Sequence, residues 1–232
     1  MKPLISVMIG VYDGAAYIGE AIESVLSQGY EPLELIVVDD GSTDGSGEVA
    51  RGFPGVRVVR QENAGNGAAR NRAVKEARGD LYAFLDADDH FTPGKLDLQK
   101  AALDADPLLD MVFGHVREFL SPDLDEDLRR TIRAPAPKPM PWTAPNLMLI
   151  RRDSFHRVGP FTTEVRVGVT VDWFARASEA GLRYLVLPDV VLERRLHTQN
   201  NGLRERASRS QYLEVIRKAM ERRRAAALPE SP

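Results

Sequence analysis

The alternation of strand-like and helix-like segments in the first hundred residues constrains the fold of this chain more than any other feature. Four apolar runs rich in β-branched residues are predicted to be buried strands: 4–11, 34–38, 56–59 and 81–85. Segments with helical periodicity separate these runs, and the first of them, 14–27, keeps its apolar residues on one face. A β-α-β-α-β-α-β order predicts an α/β fold with a mostly parallel central sheet and helices on both faces.

The composition excludes several classes of protein. A length of 232 residues suits one large α/β domain, and a net charge of −3 argues against a general nucleic-acid partner. Without cysteine, the chain can form neither a disulfide scaffold nor a thiolate metal site. No apolar run is long enough to span a bilayer, and the first residues lack the pattern of a signal peptide. We therefore expect a cytoplasmic protein, with peripheral contact at the inner membrane face as an option.

Acidic residues follow two of the predicted strands directly. Asp39 and Asp40 come after the second strand, and Asp86, Asp88 and Asp89 come after the fourth. The carboxyl ends of parallel strands share one edge of the sheet, where α/β proteins bind ligands. Three acids within four residues repel one another unless a cation compensates, and a divalent cation bound to oxygens could also hold a diphosphate. The alternative is a solvated acidic turn, with Asp89 capping the next helix.

Five segments together resemble the family 2 glycosyltransferases, which are inverting enzymes of the GT-A fold that use nucleotide-diphospho-sugars. The resemblance covers about residues 3–200 and is specific as a set, although each motif alone is weak. It implies a nucleotide-diphospho-sugar donor, with a UDP-sugar expected, and Mn²⁺ or Mg²⁺ as cofactor. The matching segments are 5–13, 37–44, 63–71, 86–89 and 171–173.

The resemblance assigns five residues to the nucleotide. Asp40 would contact the base, Asp39 would support it, and Gly10 on the first strand would line the same pocket. Arg70, in a glycine-rich segment that opens a helix, would reach the nucleotide, and Asp86 would contact the ribose or the metal shell. Plain readings of the same residues are a helix-capping turn at 39–44 and a surface arginine.

The resemblance also implies the metal ligands and the general base. Asp88 would coordinate the cation directly, and His197 matches a late histidine that some family members use as a further metal ligand. Asp172 would take the proton from the acceptor hydroxyl. Val171 stands where the family usually has glutamate, which puts the acceptor geometry in question. The plain readings are a structural histidine and an N-cap aspartate.

The rest of the chain is less regular. A strand at 111–119 is expected along the sheet edge, and further strands are expected at 147–150 and 184–187. Residues 1–205 would form a single domain, with a nucleotide-binding half at about 1–100 and an acceptor half at about 101–205. Residues 206–232 would add a basic amphipathic helix and a frayed end. This tail could be solvated, could contact a second copy in a homodimer, or could bind anionic lipid.

The leading hypothesis is therefore a metal-dependent inverting glycosyltransferase. A nucleotidyltransferase is an alternative, but residues 12–16 lack the basic residue expected after the first strand of that class. A catalytically degenerate nucleotide-sugar-binding module is the other alternative, and Val171 is its best support. The acceptor could be a glycan, a lipid-linked sugar, a peptide or a small molecule, because acceptor loops vary freely on one scaffold.

Overall fold

A computed structural model describes residues 2–198, residue 200 and residues 215–222. The strands are β1 Ile5–Val11, β2 Leu33–Asp39, β3 Val56–Arg60, β4 Leu81–Asp86, β5 His90–Phe91, β6 Met111–Leu120, β7 Met140–Pro141, β8 Leu149–Arg151 and β9 Tyr184–Leu196. The α-helices are α1 Ile18–Leu26, α2 Ser46–Arg51, α3 Asn66–Glu76, α4 Lys95–Ala105, α5 Glu126–Thr131, α6 Arg152–Val158 and α7 Val169–Glu179. Residues 215–222 are also helical, and the other residues of the tail lie outside the described part.

Within the described residues, the nine strands form one sheet in the order β3-β2-β1-β4-β8-β6-β9-β5, with β7 paired to β6. Strands β3, β2, β1 and β4 are all parallel, as the sequence predicts. The register pairs Val11 with Asp39 and Gly10 with Asp86, so the carboxyl ends of β2, β1 and β4 are level. The two acidic motifs therefore emerge from the same edge of the sheet.

Beyond β4 the sheet becomes mixed. Strand β8 is antiparallel to both β4 and β6, whereas β6 and β9 are parallel. The expectation that the strand at 111–119 runs along the sheet edge is wrong, because β6 lies between β8 and β9. Strand β9 continues nine residues past the predicted end at Leu187, to Leu196. Pro188 interrupts the β pattern in the sequence, but a shift of register in β6 beside it lets the pairing continue.

An aromatic cluster connects α6 and α7 to the sheet. The rings of Phe155 and Trp173 stack with centroids 5.4 Å apart, and Phe84 of β4 packs on Phe155 at 5.9 Å. Trp173 is fully buried and its Nε1 donates to the carbonyl of Gly159 at 2.9 Å. These contacts fix the first turn of α7, where Asp172 lies.

The segment before α7 is also bonded to α3. Asn71 donates to the carbonyl of Phe161 at 2.8 Å and accepts from its N–H at 2.9 Å. At Gly67, an added Cβ would lie 2.5 Å from the carbonyl oxygen of Thr162, so this close approach requires glycine. The start of α3 thus lies directly against the segment that leads into α7.

In the described part of the chain, no helix combines the length and the apolar character needed to cross a membrane.

Candidate active site

The turn after β4 places Asp86 in a polar network whose other members, Arg70 and Asn146, are buried. Its Oδ1 accepts from Nη2 of Arg70 at 2.7 Å, and its Oδ2 accepts from Nδ2 of Asn146 at 3.1 Å. Arg70 is buried on α3, with its guanidinium 5.6 Å from the ring of Phe161. Arg70 is therefore not a surface arginine, and it pairs with Asp86, a contact that the sequence did not predict.

Asp88 pairs with His197, which follows the end of β9. Nε2 of His197 lies 2.8 Å from Oδ2 of Asp88, and Nδ2 of Asn200 donates to the same oxygen at 3.1 Å. The imidazole is buried and packs on Tyr17 with ring centroids 4.7 Å apart. Its Nδ1 is buried without a hydrogen-bond partner in the structure. The pair is thus held in place by neighbours on both sides.

The Asp88–His197 pair fits a divalent cation in part. A carboxylate oxygen suits Mn²⁺ and Mg²⁺, and an imidazole nitrogen is a common metal ligand. Among the described residues, no three His, Cys, Asp or Glu side chains converge as a complete metal cluster. Such a cation would therefore take its remaining ligands from water and substrate phosphates, as is usual for Mg²⁺ sites.

Asp89 is a buried hydrogen-bond acceptor in the turn and does not cap a helix. The next helix, α4, begins at Lys95 with Gly94 at its N-cap, so the capping alternative is wrong. Burial, with the nearby charges of Asp88 and Asp86, raises the pKa of the Asp89 carboxyl well above its ordinary value. The side chain accepts from Nδ2 of Asn146 at 2.9 Å and from the N–H of Arg195 at 3.0 Å.

Asn146 and Arg195 are functional neighbours that the sequence did not single out. The buried amide of Asn146 bridges two carboxylates, and its Oδ1 has no hydrogen-bond partner in the structure. The buried guanidinium of Arg195 bonds the carbonyl of Asp88 at 3.2 Å and forms an ion pair with Glu20. For Asn146 the signal in the sequence was a polar residue beside an apolar run, and Arg195 lies in a charged stretch, and neither pattern reveals the partners.

Asp39 and Asp40 lie at the end of β2, and protein groups already bond both. Oδ1 of Asp39 accepts from the N–H of Ser42 at 2.8 Å, and its Oδ2 from Nη1 of Arg60 at 2.7 Å. Asp40 accepts from the side chain of Gln61 at 2.7 Å and from the N–H groups of residues 64 and 65 at 2.9 and 2.8 Å. Asp40 therefore organises the loop that leads into α3, a role the sequence did not predict.

An open cleft of about 530 Å³ lies beside that loop. It is lined by Gly41, Arg60, Gln61, Glu62 and Asn63. The side chain of Arg60 is 50% exposed there while it holds the buried Asp39. The helix-capping reading of the 39–44 turn is wrong, because Gly45 occupies the N-cap of α2, and Gly41 of this turn borders the cleft.

Gly10 lies at the end of β1 beneath α3. A Cβ added there would lie 3.2 Å from Cβ of Ala69, so the small residue lets α3 pack close to the strand. Its predicted place beside the nucleotide stays a prediction, although its pairing with Asp86 puts it at the correct edge of the sheet.

Asp172 lies in the first turn of α7, where it is buried. Gly168 occupies the N-cap, so the N-cap reading of Asp172 is wrong. Its Oδ2 accepts from Nε of Arg176 at 2.9 Å, and its Oδ1 from Nη1 of Arg222 at 3.3 Å. In the described part of the chain, it shares no hydrogen bond with the acids of the 86–89 turn. Val171 beside it is 40% exposed.

The sequence model of the family described as "Glycosyl transferase family 2" matches residues 6–164. This chain belongs to glycosyltransferase family 2. The match includes the acidic turns after β2 and β4, and it ends before Asp172 and His197. The family assignment made from the motifs is therefore confirmed.

Curated proteins similar to this chain are also named as glycosyltransferases. The putative glycosyltransferase EpsH of Bacillus subtilis is 32% identical over 134 residues, which cover 56% of this chain and 39% of EpsH. The glycosyltransferase GlyG of Streptococcus pneumoniae is 43% identical over 94 residues, which cover 38% of this chain and 31% of GlyG. The matched part spans less than half the length of these relatives.

Solved structures confirm the GT-A fold. TarS of S. aureus (residues 1–349) in complex with UDP-GlcNAc matches 94% of this chain and 65% of its own, with a TM-score of 0.77 and 20% identity. The mannosyltransferase PcManGT of Pyrobaculum calidifontis, in complex with GDP-Man and Mn²⁺, matches 95% of this chain and 65% of its own, with a TM-score of 0.71 and 23% identity. The predicted α/β class and GT-A architecture are thus confirmed.

Proposed function

We propose that this family 2 glycosyltransferase is metal-dependent and inverting, and moves a sugar from a nucleotide-diphospho-sugar to an acceptor hydroxyl. The observation that carries the proposal is the Asp88–His197 pair beside the Asp86–Arg70 ion pair, at the carboxyl ends of parallel strands. Both pairs lie where an α/β sheet binds its ligand. A diphosphate suits such a site, because its negative charge can bind both a cation held by a carboxylate and a buried arginine.

Asp88 and His197 would hold Mn²⁺ or Mg²⁺, with Asp86 near the ribose or the metal shell. A bound cation would act as a Lewis acid that stabilises the diphosphate as leaving group. Arg70 holds Asp86 at 2.7 Å and contributes positive charge to the same region. The structure of the relative PcManGT with GDP-Man and Mn²⁺ supports a divalent cation and does not distinguish Mn²⁺ from Mg²⁺ for this chain.

The nucleotide would lie along the carboxyl ends of β1 and β2, with its base in the cleft beside residues 60–63. Asp40 has three of about four carboxylate lone-pair positions occupied, which leaves one for an N–H of the base. Asp39 would support it through Arg60, and Gly10 would line the same pocket near the end of β1, where it pairs with Asp86. A UDP-sugar is the first choice, because the TarS structure contains UDP-GlcNAc.

Asp172 would be the general base. Its carboxylate would take the proton of the acceptor hydroxyl as that oxygen bonds the anomeric carbon, while the bond from that carbon to the diphosphate oxygen breaks. Attack from the face opposite the diphosphate inverts the configuration. The segment that leads into α7 packs against α3 where Thr162 meets Gly67. This contact supports a position for Asp172 close to the proposed nucleotide pocket.

Calorimetric titration tests this proposal. UDP, GDP, dTDP and CDP would be titrated into the protein with Mn²⁺ and without it. We expect one diphosphate to bind tightly and only with the cation. Equal affinity with and without Mn²⁺ would contradict metal dependence. If none of the four binds, the proposed function is contradicted for these nucleotides, whereas binding without sugar transfer would support the degenerate module, for which Val171 in place of the usual glutamate is the best support.

A further inference from the structure

Helical residues 215–222 lie against the body of the protein through one face. Val215, Lys218 and Arg222 recur at spacings of three and four residues, which places them on the same side of a helix. Val215 is buried, Nζ of Lys218 lies 2.8 Å from Oε2 of Glu164, and Arg222 reaches α7. The described part of the tail therefore packs beside the candidate base.

Arg222 pairs with two acidic residues on one face of α7. Asp172, Arg176 and Glu179 follow one another at spacings of four and three residues, so they share one face of that helix. Nη1 of Arg222 lies 3.3 Å from Oδ1 of Asp172, and its Nε lies 2.9 Å from Oε2 of Glu179. One guanidinium thus bridges the two acids of this face.

The two oxygens of Asp172 are held by different parts of the chain. Arg176 binds Oδ2, and its other nitrogens donate to the carbonyls of Val158 and Pro160 at 2.7 Å each, so its position is fixed by the core of the domain. Arg222, from a separate helix, binds Oδ1. A carboxylate offers about four lone-pair positions, so two remain for an acceptor hydroxyl.

One further nitrogen of Arg222 is available to donate a hydrogen bond. Its Nη2 is buried and has no hydrogen-bond partner in the structure. Such groups are uncommon in folded proteins, because losing hydration without a new hydrogen bond is costly. An acceptor oxygen next to Asp172 would supply the missing partner.

We infer that Arg222 is a positioning residue for Asp172 and that residues 215–222 form part of the acceptor side of the site. The inference rests on the proposed role of Asp172 as general base. Without Arg222, Oδ1 of Asp172 loses the group that fixes its position. A displacement of about 1 Å at a reacting group can lower the rate about 100-fold. Donor binding, which uses the edge of the sheet, should not depend on Arg222.

The rate test uses water as the acceptor and measures release of nucleoside diphosphate from UDP-GlcNAc and from GDP-mannose. Arg222→Gln should lower the rate at saturating donor by about 10- to 100-fold and leave donor affinity unchanged. Arg222→Lys should recover part of the rate, because it keeps the charge but not the two-pronged contact. Arg78→Gln is the matched control, because this arginine lies ahead of β4, away from the candidate site, with a side chain that is 74% exposed, and the variant should retain the parent rate. An Arg222→Gln rate equal to or above that of the parent would overturn the inference.

A second measurement tests the contact without turnover. Urea unfolding of Arg222→Ala, Asp172→Asn and the double variant forms a thermodynamic cycle. We expect the two substitutions to be non-additive, and additive shifts of the unfolding midpoint would overturn the inference. If the parent releases diphosphate from neither donor, the proposed function is contradicted with these donors, while the cycle still decides whether Arg222 holds Asp172.

Discussion

Nε2 of His197 lies 2.8 Å from Oδ2 of Asp88, although 109 residues separate the two in the sequence. Strand β9 makes this contact possible, because its pairing with β6 continues to Leu196 and ends directly before the histidine. The buried imidazole therefore reaches the turn after β4 from the second half of the chain. The nucleotide half and the acceptor half of the predicted domain meet at this pair.

Substitution of His197 tests its role toward the cation. We expect His197→Ala to weaken Mn²⁺-dependent binding of the preferred nucleoside diphosphate by at least about tenfold, since even a hydrogen-bond partner of a metal ligand has an effect of that size. Titration calorimetry at fixed nucleotide and varied Mn²⁺ measures the loss. His156→Ala, an exposed histidine on α6, is the control. An unchanged Mn²⁺ dependence in His197→Ala would assign this histidine a structural role only.

Asn146 should stabilise the acidic turn, because its amide is a neutral donor between the carboxylates of Asp86 and Asp89. We expect Asn146→Ala to lower the free energy of unfolding by about 1–3 kcal/mol, the usual cost of leaving buried polar groups unsatisfied. Asn146→Asp should cost more, since it adds a third acid to the same space. Urea unfolding measures both variants, and a parent-like midpoint for each would contradict this role.

The first half of the fold was readable from the sequence, and the second half only in part. Strands β1–β4 begin and end within two residues of their predicted bounds, because each is a compact apolar run whose environment is decided locally. The level ends of β2 and β4 followed from parallel topology, and they placed Asp40 and Asp86 at one edge. In β9, Pro188 interrupts the strand pattern of the sequence, and pairing with the distant strands β6 and β5 stabilises the strand.

Site residues outside the motifs were missed for a similar reason. Asn146 and Arg195 have ordinary local surroundings in the sequence, and their importance comes from partners that are between 57 and 107 residues away. The bonds of Asp40 to the loop at 61–65 are also long-range. A motif gives the type of residue at a position, whereas these contacts depend on how distant segments pack.

Lys95 should destabilise the fold at neutral pH. It is fully buried, its Nζ donates to the carbonyl of Leu147 at 3.1 Å, and burial lowers its pKa well below the ordinary value. In Lys95→Met, the side chain of Gln99 still donates to that carbonyl at 2.7 Å. We expect this variant to raise the free energy of unfolding by about 1–2 kcal/mol, because a buried amine without an acidic partner is replaced by an apolar chain of similar size.

The pH dependence of stability gives an independent check on Lys95. Between its lowered pKa in the folded state and the ordinary lysine value of about 10.4, the unfolded chain binds the extra proton. The free energy of unfolding contributed by this group therefore rises with pH across that window. Lys95→Met should lose this rise, whereas Lys75→Met, on the exposed side of α3, should keep it. Identical pH profiles for the parent and Lys95→Met would contradict the expectation.

The most direct test of the proposed mechanism compares the parent chain with Asp172→Asn. Donor affinity is measured by calorimetry with Mn²⁺, and turnover is measured as release of nucleoside diphosphate from the bound sugar donor. Asp153→Asn, whose side chain is 96% exposed, is the matched control. We expect Asp172→Asn to bind the donor as the parent does and to turn it over about 10²- to 10⁴-fold more slowly, because the amide cannot accept the proton. Parent-like turnover by Asp172→Asn would contradict the assignment of Asp172 as the general base.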